Sequence, residues 1–135
     1  MQFDLKILLK LAIWPGIVVV VNFSLYRIFP IQYLDWHLDT PLHFLGGMSI
    51  AFVVCAVMTM LERRGDLVIK QVLVRVVLMA AVVALAAVCW EFYEFVGDYF
   101  FGTHLQPSLA DTMKDLFMGL SGGIVFALFR KQIKK

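Results

Sequence analysis

The chain has 135 residues, enough for one domain. Hydrophobic residues make up 61% of it and charged residues 16%, against roughly 45–50% and 25% in ordinary soluble domains. This composition argues against a soluble enzyme, a disordered tail and a nucleic-acid-binding protein, and the net charge of +2 says little until it is located along the chain. A small polytopic membrane protein remains, with membrane lipids rather than nucleic acid as its expected partners.

Four stretches are long and apolar enough to cross a bilayer, whose hydrocarbon core of about 30 Å needs about 20 residues of helix. They predict an all-α membrane protein, a four-transmembrane-helix bundle in a single domain over residues 1–135. No small-residue cleavage site follows the first stretch, so we interpret it as a retained helix and not a signal peptide. The predicted helices cover approximately residues 7–29, 41–61, 68–101 and 109–129.

Prolines mark the expected helix starts and one irregularity. Pro41 suits a first helical position, preceded by Asp39 or Thr40 as the cap. The pair Pro107-Ser108 opens the fourth helix in a similar way, and Pro15-Gly16 predicts a kink or an irregular turn within the first helix.

Lysine and arginine predict the orientation in the membrane. Ten of the twelve fall at one pole, and only Arg27 and Lys114 fall at the other. Because the cytoplasmic side of a membrane protein carries the excess of Lys and Arg, we expect both termini and the Arg63-Arg64 turn in the cytoplasm. The ten basic residues are Lys6, Lys10, Arg63, Arg64, Lys70, Arg75, Arg130, Lys131, Lys134 and Lys135.

Acidic residues follow the opposite distribution, with Asp4, Glu62 and Asp66 at the cytoplasmic pole and seven of the ten at the outer pole. The three histidines, His37, His43 and His104, accompany them. The acids are spaced three or four residues apart, which places each set on one face of its helix. The seven outer acids are Asp35, Asp39, Glu91, Glu94, Asp98, Asp111 and Asp115.

On two of the predicted helices, the face that carries the acids continues toward the cytoplasm as a stripe of small residues. Such stripes let helices approach closely, so we expect these faces to point into the bundle, with Gly46 and Gly47 doing the same below His43. The stripes are Ala80, Ala84 and Ala87 on the third helix, and Gly119, Gly123 and Ala127 on the fourth. Cys55 and Cys89 lie in apolar stretches without metal-type spacing, and we expect both to be buried apolar side chains.

Two of the acids are predicted to lie within the membrane itself. Glu91 follows Arg75 by sixteen residues and Asp115 precedes Arg130 by fifteen, which is about 22–24 Å of helix and less than the thickness of the core. Ionisable residues at such depth usually face a cavity or a partner and are functional by default. Several acids together must share protons, pair with Arg27 or Lys114, or hold a metal.

The motifs around these acids resemble those of the VanZ-like membrane proteins, and more closely those of the YjdF-type bacterial inner-membrane proteins of unknown function. The resemblance covers about residues 38–127 and implies a small helical protein of the bacterial inner membrane. This chain departs from the VanZ-like pattern at Thr40, Glu94 and Gly119. Of these departures, the additional carboxylate of Glu94 is the one that favours a metal site. The resembling segments are Asp39-Thr-Pro-Leu-His43-Phe44, Trp90-Glu91-Phe-Tyr-Glu94, and Asp111-Thr112-Met-Lys-Asp115 with Gly122 behind it.

Our first hypothesis is a divalent-metal site at the outer leaflet, within one cavity open to the outer face. Mixed carboxylate and imidazole ligands suit zinc, manganese or iron, and an all-oxygen subset suits magnesium or calcium. Such a metal would polarise a lipid-linked phosphate or activate water, with Glu91 or Glu94 as the catalytic carboxylate. The expected ligands are His43, Glu91, Glu94 and Asp115. Asp39, Asp98 and Asp111 are expected to be further ligands or to contact the ligands without binding the metal.

Three alternatives stay open on the sequence. In the first, the acids are solvated helix ends and caps, an interpretation that suits Asp35, Asp98 and Asp111 best. In the second, they bind a cation, protons or an amine-bearing ligand such as an antibiotic or an envelope precursor without catalysis. In the third, the polar pole docks a partner, and the protein is an accessory subunit or an oligomer.

Overall fold

The structure, a computed structural model, describes residues 5–130 and is helical throughout, without strands in that range. Four of the helices are long and apolar enough to cross a membrane, so the prediction of a four-helix membrane bundle is confirmed. Which pole faces the cytoplasm stays a prediction, and Asp4, Lys131, Lys134 and Lys135 lie outside the described residues. In chain order the helices are α1 (Leu5–Ile28), α2 (Pro30–Asp35), α3 (Asp39–Arg64), α4 (Val72–Phe101) and α5 (Leu109–Phe129).

Two connections contain structure that the sequence did not predict. Pro30 begins the short helix α2, where its fixed φ and missing N–H suit a first turn, so residues 30–35 are not an irregular loop. Residues 66–71 lie outside the helices: Leu67 and Ile69 pack against the core while Val68 and Lys70 are exposed. This alternation is that of an extended segment, and α4 therefore begins at Val72 rather than at 68.

The helix starts differ in part from the expected caps. Ser108 caps α5, because its hydroxyl accepts a hydrogen bond from the Asp111 amide at 3.1 Å. Helix α3 begins two residues earlier than expected, with Leu38 as its N-cap, so Asp39 is inside the helix and the expected cap was wrong. Helix α1 continues through Pro15, which excludes an irregular turn there.

Helices α3 and α5 are in direct backbone contact at two glycines. A Cβ atom on Gly47 would lie 1.8 Å from the Gly119 carbonyl oxygen, and one on Gly122 would lie 2.0 Å from that of Phe44. On the other side of α5, a Cβ on Gly123 would lie 2.9 Å from a methyl group of Val83 on α4. The expectation that Gly119 and Gly123 face the interior is therefore confirmed, because both are buried at these contacts.

The apolar core lies between the helices on the side of the basic residues. Cys55 is part of this core, whereas Cys89 is exposed, so the expectation that both cysteines are buried was half wrong. Cys89 lies two residues from both Ala87 and Glu91, which at 100° per residue turns it away from the inward face of α4. The buried core residues are Ala51, Cys55, Met58, Met79 and Val83.

Candidate metal centre

Five carboxylic acids are buried together at the end of the bundle opposite the basic residues, which we call the acidic pole. Each is 2–7% exposed, and the His43 side chain among them is 7% exposed. Helix α3 contributes Asp39 and His43, while α4 and α5 contribute two acids each. The buried acids are Asp39, Glu91, Glu94, Asp111 and Asp115.

His43 lies between the carboxylates of α4 and α5. Its Nδ1 atom is 3.8 Å from Glu91 Oε1, and its Nε2 atom is 4.0 Å from Asp115 Oδ2. The spacing of four residues from Asp39 to His43 places both on one face of α3, and the glycine contact of α3 with α5 brings that face close to the acids of α5. One imidazole thus contacts both neighbouring helices through different nitrogens.

The potential ligands form two groups. His43, Glu91 and Glu94 make up the first, and Asp39, Asp111 and Asp115 the second; within each group, one donor atom per residue lies within 4.8 Å of the others. The structure thus brings together all four principal residues of the predicted site and two of the three further ones.

Two carboxylate oxygens in the cluster have no hydrogen-bond partner among the described residues. They are Glu91 Oε1 and Asp115 Oδ1, and each belongs to a different ligand group. A buried polar atom without a partner costs about 1–3 kcal/mol, and more when the group is charged. Such atoms are rare in folded proteins and need an explanation, of which an ion is one.

One carboxylate oxygen of each α4 acid accepts a hydrogen bond from a neighbouring side chain. The Gln106 side-chain amide donates to Glu91 Oε2 at 2.8 Å and to the Glu91 carbonyl at 3.0 Å. The Trp90 indole N–H donates to Glu94 Oε1 at 2.8 Å. Both carboxylates are thus oriented, with Glu91 Oε1 left toward His43. The sequence offered no signal for Gln106.

Lys114 neutralises part of the second group. Its ammonium lies 2.5 Å from Asp111 Oδ1 and 3.8 Å from Asp115 Oδ1, and 3.4 Å from Nδ1 of the exposed His37. The pairing of these acids with Lys114, considered as an alternative to a metal, is therefore present in the aspartate group. Arg27, the other basic residue at this pole, is exposed.

Asp98 lies outside both groups, although it shares the acidic face of α4. Its carboxylate accepts hydrogen bonds from the Thr103 hydroxyl at 2.5 Å and from the Leu105 and Gln106 amides at 2.7 and 2.8 Å. It therefore closes the connection between α4 and α5 instead of pointing at the other acids. His104, in the same connection, and Asp35, at the end of α2, are exposed.

Two further polar contacts enclose the cluster. The Tyr33 hydroxyl donates to Asn22 Oδ1, and the Tyr26 hydroxyl donates to the Thr103 carbonyl. Tyr33 is 1% exposed, and burial raises the pKa of its phenol, which keeps the hydroxyl protonated and able to donate.

The acids do not lie in a cavity open to the surface, contrary to what the sequence led us to expect, because they are almost fully buried. An apolar cavity of about 130 Å³ lies instead toward the middle of the bundle, among α1, α3, α4 and α5. His43 lines one part of it, together with Asn22, Trp90 and the glycines Gly46 and Gly47. The imidazole therefore connects the acidic cluster with an apolar space.

The fold and the cluster define a polytopic membrane protein with a buried acid–histidine centre. The chain belongs to the family described as "Predicted membrane protein (DUF2238)", which it matches over residues 1–135. Comparisons with curated proteins and with solved structures gave no match. The resemblance to VanZ-like and YjdF-type proteins stays a prediction.

Proposed function

We propose that this protein binds a divalent cation between His43, Glu91 and Glu94, and that it uses the ion to act on a lipid-linked phosphate. The observation that carries the proposal is Glu91 Oε1, a buried carboxylate oxygen without a hydrogen bond that lies 3.8 Å from His43 Nδ1. An ion between these two atoms would satisfy both, with ligand distances of about 2.0–2.2 Å.

The charge of the cluster supports a cation. Five carboxylic acids are buried there, and Lys114 is the basic side chain that contacts them directly within the described part of the chain. Buried charges are costly unless they are paired or bind a metal. Because Lys114 serves the aspartate group, we assign the ion to the group that lacks such a partner. One nitrogen and two carboxylates favour zinc, manganese or iron, whereas the three aspartates would suit magnesium.

Asp115 would orient the metal-binding His43 rather than bind the metal itself. If Nδ1 of His43 binds the ion, the opposite nitrogen carries the proton and faces Asp115 Oδ2 at 4.0 Å. Metal-binding histidines commonly donate their second N–H to a carboxylate, which fixes the ring and raises its basicity. The two ligand groups would then be one site, with a metal half and a supporting half.

The apolar cavity beside His43 supports a lipid as the substrate. It reaches the imidazole from the apolar interior of the bundle, where an acyl or isoprenoid chain would lie with its phosphate toward the ion. The metal would polarise a phosphoryl oxygen. Glu91 or Glu94 would take a proton from the attacking water and return it to the alcohol oxygen as the bond from phosphorus to that oxygen breaks. In the predicted orientation this chemistry takes place at the outer leaflet of the bacterial inner membrane.

A non-catalytic cation- or proton-binding role is the second candidate. It is favoured by the burial of the acids, each no more than 7% exposed, because a substrate phosphate needs a path to the ion. Movement of the connection at 102–108, from which Gln106 reaches Glu91, would provide that path for an enzyme. A binding protein has no need of it.

Elemental analysis of the purified protein tests the proposal. We expect about one equivalent of a transition metal per chain, lost after chelation and recovered on adding Zn²⁺ or Mn²⁺. Glu91→Gln should abolish most of this binding, whereas Asp35→Asn, which removes an exposed acid at the same pole, should leave it unchanged. Metal binding without release of phosphate from any lipid-linked phosphate would favour the second candidate. If neither the wild type nor Asp35→Asn contains metal, both the metal-dependent enzyme and the cation-binding protein are refuted.

A further inference from the structure

A second cavity lies at the basic pole, the end of the bundle opposite the acidic cluster. It has a volume of about 320 Å³ and lies where α3 ends, α4 begins and α5 ends, with the extended segment 66–71 beside it. Nothing in the proposed metal chemistry involves this cavity. Its position at the ends of three membrane-spanning helices places it at the level of lipid headgroups.

Four basic side chains line this cavity, against one acidic side chain, Glu62. The Arg75 guanidinium pairs with Glu62, so one positive charge is compensated. The Arg130 guanidinium donates to the neutral Thr59 hydroxyl at 3.1 Å, which positions it without neutralising it. The four basic residues are Arg63, Lys70, Arg75 and Arg130.

The remaining positive charge has no acidic counterpart among residues 5–130. Arg63 and Lys70 form no ion pair with any residue of the described range 5–130, in contrast to the neighbouring Arg64, which pairs with Asp66 at 3.1 Å. The cavity thus carries an excess of three positive charges in a concave site. Arginine recognises phosphate through paired N–H donors, and lysine adds a compact charge.

The wall of the cavity toward the bundle centre is apolar. Val76, Met79 and Ala127 line it there, and Met79 belongs to the buried core. A free phosphate ion would leave this wall unused, whereas a lipid presents a phosphate and an apolar glycerol–acyl region next to each other. Basic pockets between membrane helices are known to bind anionic headgroups of this kind.

We propose that this cavity binds the phosphate headgroup of an anionic membrane lipid. Arg63, Lys70 and Arg130 contact the phosphate oxygens, the Glu62–Arg75 pair holds the α3 and α4 walls together, and the apolar wall contacts the start of the acyl chains. The site is independent of the metal centre.

Lipid binding to the full chain in a neutral detergent tests this proposal. The probe is phosphatidylglycerol, titrated against the wild type and against Arg63→Gln/Lys70→Gln, with native mass spectrometry counting bound lipid. We expect the dissociation constant to rise about tenfold or more in the double variant, because each charge contributes several-fold near a membrane surface. The matched control is Lys10→Gln/Arg64→Gln, which removes the same net charge at exposed positions outside the cavity and should change the constant less than about twofold.

Three results would overturn the proposal. Equal loss in the control variant would indicate attraction to surface charge rather than a site. Equal binding of phosphatidylcholine would remove the role of the anionic headgroup, and inorganic phosphate that competes at the same concentration as the lipid would show a site for a soluble ion. If the double variant does not fold, Lys70→Gln alone, exposed and outside the helices, gives the same comparison against Lys10→Gln.

Discussion

The imidazole of His43 connects two helices because its two nitrogens face different carboxylates, Glu91 on α4 and Asp115 on α5. A neutral imidazole has one donor nitrogen and one acceptor nitrogen. It cannot donate to both carboxylates unless it is protonated, and a cation on the Glu91 side resolves the conflict by using the acceptor nitrogen. The two acids should therefore contribute unequally to metal binding.

Asp115→Asn tests this inequality. We expect metal affinity to fall about 10–100-fold, as for a residue that supports a metal-binding histidine, whereas Glu91→Gln should abolish binding. Competition with a chromophoric chelator measures both constants, and Asp35→Asn serves as the control. An Asp115→Asn variant with wild-type affinity would remove Asp115 from the site, and complete loss would make it a direct ligand.

Asp98→Ala tests the structural role of the acid that lies outside the cluster. Its carboxylate accepts two amide hydrogen bonds and one hydroxyl hydrogen bond from residues 103–106. We expect a loss of about 1–3 kcal/mol in unfolding free energy, typical of donors left without a partner. Amide exchange should be faster at Leu105 and Gln106. Wild-type exchange there would show that the connection is held by other contacts, and Asp35→Ala controls for the loss of an acid.

At the level of helices, the α3–α5 contact determines how close the two halves of the acid–histidine cluster come. Gly47 lies one turn below His43, and its contact with Gly119 lies one turn below Asp115. A side chain at either position would separate the helices and with them His43 from the α5 acids. The small residues are thus a condition for the site as well as for packing.

Gly47→Ala should lower the unfolding free energy in detergent by about 1–3 kcal/mol or more, because the added methyl group meets a backbone carbonyl at 1.8 Å and neither helix can yield locally. The matched control is Gly16→Ala in α1, where nothing lies within 4 Å of the new atom and alanine is the better helix former. Thermal unfolding of both variants measures the difference. Equal stability would contradict the close backbone contact.

The features that the sequence predicted are those that depend on one helix at a time. The bounds 109–129 of α5 follow from the Ser108 cap and the apolar run, and the inward orientation of Glu91 and Asp115 follows from helical spacing. Features that depend on two segments were missed. Gln106 reaches Glu91 because Asp98 accepts a hydrogen bond from the Gln106 amide and so holds the connection 102–108 against α4. The helical periodicity of the sequence does not predict such a contact.

The extended segment 66–71 shows the same limit at the other pole. Its hydrophobic content resembles the start of a membrane helix, so the sequence predicted α4 from 68. The segment instead follows Gly65, whose φ of +80° ends α3, and its alternating side chains fill the space beside the core. Whether this apolar segment is helical or extended depends on the space available beside the core. The periodicity of a single helix carries no information about that space.

For the whole molecule, the separation of charge between the two poles is the dominant feature. The described residues carry seven acids at one end with Lys114 and Arg27, and the basic cavity at the other. A membrane protein with this asymmetry should insert with its basic pole in the cytoplasm. That orientation would place the acid–histidine cluster near the outer leaflet and the proposed lipid site near the inner one.

Cysteine labelling in intact cells tests the orientation. In a background with Cys55→Ala and Cys89→Ala, we expect a membrane-impermeant maleimide to react with Asp35→Cys and not with Val68→Cys. Both positions are exposed and lie in the connections between the spans, and neither replaces Gly65 or Gly102, whose positive φ angles disfavour a side chain. After lysis both should react, which controls for accessibility. Labelling of Val68→Cys alone in intact cells would reverse the orientation and place the candidate metal centre on the cytoplasmic side, where its substrate would have to come from the inner leaflet.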